Sequence, residues 1–241
     1  LSQGFAVLPL EHVGAGLVET ACDWFAEMSG GAAVLAPVWH QAPRISPADR
    51  LALTGTPELV RRALAELAPA GVLPLLVFGP PAARAHCWNL EDGRRYALVP
   101  APAALAVLAH ELGHLLFGWP DLRLPAGTAA RCLMAPMAGR APAPPSAPMR
   151  VAAGWEVPQP LVAGLDPAGL ACRRSHVWAN LLIERQEDAL VGFRRFGRSV
   201  SLAFAAALGP ADACALAMAS RAIGPGAERA AQSSSHAGWG C

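Results

Sequence analysis

The chain has 241 residues, enough for one sizeable core with an appendage or for two small domains. Apolar residues make up 54% and charged residues 15%, which excludes a disordered chain and a charge-driven binder. A formal net charge of +1 gives no electrostatic case for a nucleic acid or an anionic membrane as partner.

The first residues, Leu1-Ser2-Gln3-Gly4-Phe5, carry neither the basic nor the long apolar region of a secretion signal. Because the chain opens on Leu rather than Met, a leader that was removed or not included stays open. Residues 12–28 suggest a helix and 33–39 a strand. Thr56 as cap, with Pro57 in the first helical position, opens a second helix through about Leu67. Val72 to Phe78 has the continuous apolar character of a buried strand. His86 to Leu90 and Arg94 to Val99 flank Asp92-Gly93, a strong signal for a two-residue hairpin.

The next helix is expected from Ala103 to Phe117, with Pro100 and Pro102 at its start, Gly118 in the stop position and Pro120 beyond. Leu105, Leu108, Leu112, Leu115 and Leu116 form one stripe, with His110 and His114 nearly opposite. The leucines anchor the helix in a core and leave the histidines to line a cleft. His110-Glu111-Leu112-Gly113-His114 is also an H-E-x-x-H sequence. Two histidines four residues apart project from one face, so both imidazoles can bind one ion at about 2.0 to 2.1 Å. Glu111, about 100° round the helix, can reach a water on that ion without being a ligand. Gly118 lets the chain turn, and Trp119-Pro120 brings Asp121 back towards the ion. Three ligands and one open position are the arrangement of a catalytic zinc site rather than a structural one.

His110 to Asp121 resembles the metal-binding segment of the metzincins, and more closely that of the immune inhibitor A-like secreted metallopeptidases, where a Pro-Asp pair follows the glycine. Upstream, Trp24 to Gly31 followed by Val34 to Val38 resembles the helix-to-strand passage that opens the family's catalytic domain. Downstream, Cys132-Leu133-Met134 and Arg150-Val151-Ala152-Ala153-Gly154-Trp155 resemble its methionine turn and a helix ending in Gly-Trp. The resemblance covers roughly residues 15 to 160. It implies an α+β, metzincin-like zincin domain with a twisted mixed sheet, an active-site helix and a methionine turn, and a small C-terminal extension. It also implies zinc as cofactor, His110, His114 and Asp121 as ligands, Glu111 as the catalytic base, a protein or peptide substrate, and secretion. Met134 would pack beneath the metal, although Met137 is close enough to be confused with it.

The chain departs from the family pattern in two ways. In H-E-x-x-H-x-x-G-x-x-H the glycine and the third ligand each fall one residue nearer than Gly118 and Asp121, so Phe117 is effectively an insertion, to be absorbed by one more helical turn or a bulge. The tyrosine that follows the methionine turn in some metzincins is absent, because the single tyrosine is Tyr96. A glutamate ligand from later in the chain, Glu156 or Glu184, lacks a convincing family context.

Residues 136 to 148 form a Pro-rich loop. Trp178 to Gln186 resembles a strand of the family's C-terminal β region, and an amphipathic helix fits it nearly as well. Val200 to Ala219 is Ala-rich and packed, and Gly224 to Cys241 reads as a flexible tail. The expected organisation is a catalytic domain over 1–160, an extension over 161–223 and a tail over 224–241. No apolar stretch reaches the roughly 18 to 20 residues that span a bilayer, since Ala101 to Trp119 carries His110, Glu111 and His114. Six cysteines, Cys22, Cys87, Cys132, Cys172, Cys214 and Cys241, leave free thiols and disulfides equally open. The reading is a zinc endopeptidase. The alternative is a catalytically silent, metal-stabilised binding domain in which Cys132 or a tail residue closes the site.

Overall fold

Consecutive apolar residues on a strand must be covered on both faces, and the first strand carries four of them. In the computed structural model, which describes residues 2–67, 74–89, 95–123, 132–135, 141–160, 170, 174–178, 181–186, 189–196 and 199–207, β1 (Ser2–Pro9) buries Phe5, Ala6, Val7 and Leu8 in succession. It lies inside a five-stranded sheet of order β2-β1-β3-β5-β4, with β2 (Val34–Trp39), β3 (Leu75–Gly79), β4 (His86–Asn89) and β5 (Arg95–Pro100). Pairings among β2, β1, β3 and β5 are parallel, and β4 runs antiparallel to β5 at the edge. The sheet is therefore mixed. β1 was not among the expected strands, because its apolar run is only four residues long before Pro9. The turn of the expected hairpin, Asp92-Gly93, lies outside the described residues, while its two strands pair as read.

The chain forms two compact units, Leu1–Gly118 with Met137–Pro144, and Trp119–Pro136 with Pro145–Cys241. In the first, α2 (Pro47–Ala52) and α3 (Pro57–Leu67) cover one face of the sheet. Leu8, Leu75, Val77, Tyr96 and Leu98 there meet Leu53, Val60 and Leu64. α2 starts in a capping box, in which the Ser46 side chain accepts from the Asp49 backbone and the Asp49 carboxylate accepts from the Ser46 backbone. Contacts of α1 (Ala15–Met28) with β2, and of α4 (Leu105–Phe117) with β3, β4 and β5, place these helices against the same sheet. Phe25 of α1 meets Phe117 of α4 at 5.4 Å between ring centroids. In α4 four leucines of the expected stripe, Leu108, Leu112, Leu115 and Leu116, are buried, each burial worth about 1.5–3 kcal/mol, and Leu105 in the first turn is half-buried.

The second unit carries a sheet of order β10-β9-β8-β7-β6. β7 (Ser175–Trp178), β8 (Leu181–Gln186), β9 (Ala189–Phe196) and β10 (Ser199–Ala207) are antiparallel, and the two-residue β6 (Gln159–Pro160) is parallel to β7. Trp178 and 181–186 are thus strand, not helix, and the Ala-rich region beginning at Val200 opens as strand. Gly192 is explained by close approach, since a Cβ there would lie 2.0 Å from the Phe204 ring on the neighbouring strand. α5 (Ala147–Ala152) contacts β7, β8 and β10. It is shorter than the helix expected to run to Trp155, because Gly154 turns left-handed at φ 79. Residues 136–140, 161–169 and 224–241, which carry parts of the expected loop, extension and tail, lie outside the described residues. Among the described residues, no helix is long and apolar enough to cross a membrane.

Glu184 on β8 is 1% exposed. Burial pushes its carboxyl up to about 7, against the hydrogen bonds it accepts from Gln186 Nε2 at 2.8 Å and from the Ala147 backbone, and against the Arg150 charge. Unfolded, the group ionises near 4.5. Between these two pH values the folded chain holds the extra proton, so this contribution to stability is fully present below about 4.5 and is lost as pH rises through about 7, on the order of 3 kcal/mol at most. Urea unfolding of wild type and Glu184→Gln from pH 4.5 to 7.5 measures it: the stability difference between the two is expected to move in favour of the variant as pH rises. Parallel pH profiles would contradict this assignment.

Candidate metal centre

The local fold of α4 sets two candidate ligands. His110 and His114 lie one turn apart, with their Nε2 atoms 3.1 Å from each other and their rings nearly perpendicular at 84°. Two nitrogens about 2.0–2.1 Å from one tetrahedral ion would be roughly 3.3 Å apart, so the pair is close to ligating geometry as it stands. The extra residue, Phe117, is taken up inside the helix, which runs through it before stopping. Gly118 then adopts the left-handed conformation, φ 63 and ψ 29, and its N–H caps the carbonyls of Gly113 and His114.

After that turn Trp119 and Leu122 are buried at 1% and 0% exposure, while Pro120 and Asp121 between them are half-buried. The Leu122 N–H donates to the Met134 carbonyl at 2.6 Å. One ligand atom each from His110, His114 and Asp121 lie within 4.8 Å of one another, all three side chains half-buried. Two imidazole nitrogens and a carboxylate oxygen are a donor set that fits a divalent first-row metal ion. These residues can bind one. The three ligand positions read from the sequence therefore come together.

Glu111, adjacent to the first histidine, is 5% exposed. Its charge is felt by Cys87 on β4, a neighbour that sequence reasoning did not single out. Burial first and Glu111 second push the Cys87 thiol up to about 12, with Arg95 opposing. The hairpin alternation held the signal: Trp88 packs with the α3-side core, which turns Cys87 to the opposite face of the sheet.

Other residues singled out in the sequence are also placed. Tyr96 is buried in the core beside α3. Met134 is fully buried in the turn Cys132–Ala135, which the Ala135 N–H closes onto the Cys132 carbonyl. Met137 lies outside the described residues. Cys132 does not belong to the metal group; burial pushes its thiol up to about 12 while it hydrogen bonds with Ser146 and with the Met134 backbone. Glu156 pairs with Arg150 at 2.8 Å, and Glu184 is held under α5, so neither glutamate joins the group. Cys22, Cys87 and Cys132 are free thiols, and Cys172, Cys214 and Cys241 lie outside the described residues.

Compared with protein-family models, curated proteins and solved structures, the chain matches none.

Thiolate is the reactive form of cysteine, and a free thiol ionises at about 8.5, so at pH 8 the thiolate fraction of half-buried Cys87 and buried Cys132 should be on the order of 1,000-fold below that in the unfolded chain. Pulse alkylation with iodoacetamide followed by peptide mass mapping is expected to leave Cys87 and Cys132 unlabelled in the native protein. Labelling of either within about tenfold of its rate in urea would contradict the burial described.

Proposed function

We propose that the chain is a zinc-dependent endopeptidase, and that its mixed sheet and helices form a metzincin-like zincin domain related to the exported immune inhibitor A-like enzymes. The observation that carries this reading is the convergence of His110, His114 and Asp121, with Glu111 next to His110 in α4. Zinc held by these residues would acidify a water molecule and polarise a substrate carbonyl, chemistry available at neutral pH without a strong base from the protein.

The chain's own residues supply the rest. Glu111 accepts a proton from the attacking water and returns it to the leaving amine, a role worth roughly 10²- to 10⁴-fold in rate. Its near-complete burial shields the carboxylate from bulk water. β4 is an edge strand beside α4 and can pair with an extended peptide by strand addition, backbone to backbone. Such pairing selects extended, accessible polypeptide and makes few demands on side chains. Of the silent binding-domain reading, in which Cys132 or a tail residue fills the fourth position, the Cys132 form finds no support in the placement of that thiol.

Glu111→Gln keeps a hydrogen-bonding side chain of the same shape and removes the base. The variant is expected to bind one zinc per chain like wild type and to cleave an unfolded protein substrate at least about 100-fold more slowly. His114→Ala should lose both metal and cleavage. Undiminished cleavage by Glu111→Gln, or a wild-type protein that binds zinc and cleaves nothing, would overturn the proposal.

A further inference from the structure

Asp121 sits on a stretch, Trp119 to Leu122, that has no regular secondary structure. A ligand on such a stretch must be ordered by something other than a helix or a ladder, or its ordering is charged to each binding event. We propose that Trp155 is a positioning residue for Asp121, acting through Trp119. This rests on the metal-binding reading above and adds to it the device that holds the third ligand.

The observations form a connected path within the second unit. The rings of Trp119 and Trp155 meet edge to face, 5.3 Å between centroids and 78° between planes, a preferred aromatic geometry. Trp119 is fixed by near-complete burial, at 1% exposure. Trp155 is set by the end of α5: its N–H donates to the Arg150 carbonyl at 2.8 Å, directly after the left-handed Gly154. Arg150 is itself held, by Glu156 at 2.8–2.9 Å and by the Pro145 carbonyl. The start of α5 is tied to the sheet by the Ala147 N–H on the Glu184 carboxylate. On the far side of the aspartate, the Leu122 N–H to the Met134 carbonyl closes the bracket. Asp121 is thus clamped between two anchors, one aromatic and one a backbone hydrogen bond, and the aromatic anchor leads through α5 to the sheet. Trp155 offers an indole N–H, which is a donor only and cannot ligate a metal ion. Its effect on the ion is through the carboxylate alone.

Zinc affinity, measured by chelator competition on the full chain, tests this with Trp155→Leu, Trp155→Phe, Asp121→Ala and the double variant Asp121→Ala/Trp155→Leu. Leucine keeps apolar bulk at this half-buried position and removes the ring contact; phenylalanine keeps a ring. Trp155→Leu is expected to bind zinc about 10- to 100-fold more weakly, the range for groups that orient a ligand from behind, and Trp155→Phe to recover to within about threefold of wild type. In the Asp121→Ala background Trp155→Leu should cost nothing further, since a residue acting only through a carboxylate is silent once the carboxylate is gone. The visible spectrum of the cobalt(II)-loaded Trp155→Leu protein should shift towards that of Asp121→Ala. Wild-type affinity in Trp155→Leu, or a loss that adds in full to that of Asp121→Ala, overturns the inference while leaving the metal site intact. Absence of zinc binding by wild type would instead defeat the metal reading and this inference with it.

Discussion

The left-handed residue at Gly118 is the constraint on which the site depends. A helix can present two imidazoles one turn apart without help, but a third ligand from the next few residues requires the chain to leave the helix axis abruptly and return. With φ at 63, Gly118 does this at a conformation that side-chain-bearing residues adopt only with strain, and its N–H closes the last carbonyls of α4 in the same step. Phe117, the residue in excess of the familiar spacing, adds its ring to the core against Phe25 instead of bulging the turn. The helix runs through Phe117, and Asp121 beyond it reaches the two histidines.

What keeps this arrangement from being only a local accident is the way both flanks are anchored. The apolar stripe of α4 packs on a sheet buried on both faces, so the orientation of His110 and His114 is set by Leu108, Leu112 and Leu115 rather than by the histidines themselves. The segment after Gly118 is held by buried Trp119 and Leu122. The other candidate ligands have partners of their own: Cys132 with Ser146 and the Met134 backbone, Glu156 with Arg150, Glu184 with Gln186 and Ala147. Burying an unpaired carboxylate is costly, and the raised ionisation of Glu184 shows the compromise reached there, a group half-way to neutral with its hydrogen bonds kept.

How much of this was legible in the sequence follows from which signals are local. α4 was readable because the leucine stripe, Gly118 and Pro120 all lie within one stretch, and α3 because Thr56-Pro57 marks its start. β2 and the hairpin strands were readable for the same reason. β1 was not: four apolar residues near the chain start look alike whether they form a central strand or none, and only pairing with β2 and β3, 32 and 69 residues away at Ser2↔Val34 and Ala6↔Leu75, gives them meaning. α2 hid in a Pro-rich stretch where its capping box, Ser46 with Asp49, spans only four residues. The β7–β8 region was ambiguous because Leu181, Leu182 and Ile183 are buried in succession, erasing the alternation that separates strand from helix. The grouping of His110, His114 and Asp121 was legible from spacing; the Cys87 neighbour of Glu111 and the Trp119–Trp155 contact were not, since each joins residues that only the fold brings together.

X-ray absorption at the zinc K edge, recorded on the zinc-loaded full chain, asks most directly whether one ion is held by two imidazoles and a carboxylate from 110 to 121. The account predicts a coordination shell of nitrogen and oxygen at about 2.0–2.2 Å that contains two imidazoles and no sulfur. A sulfur scatterer at about 2.3 Å, or a shell with a single imidazole, would contradict it.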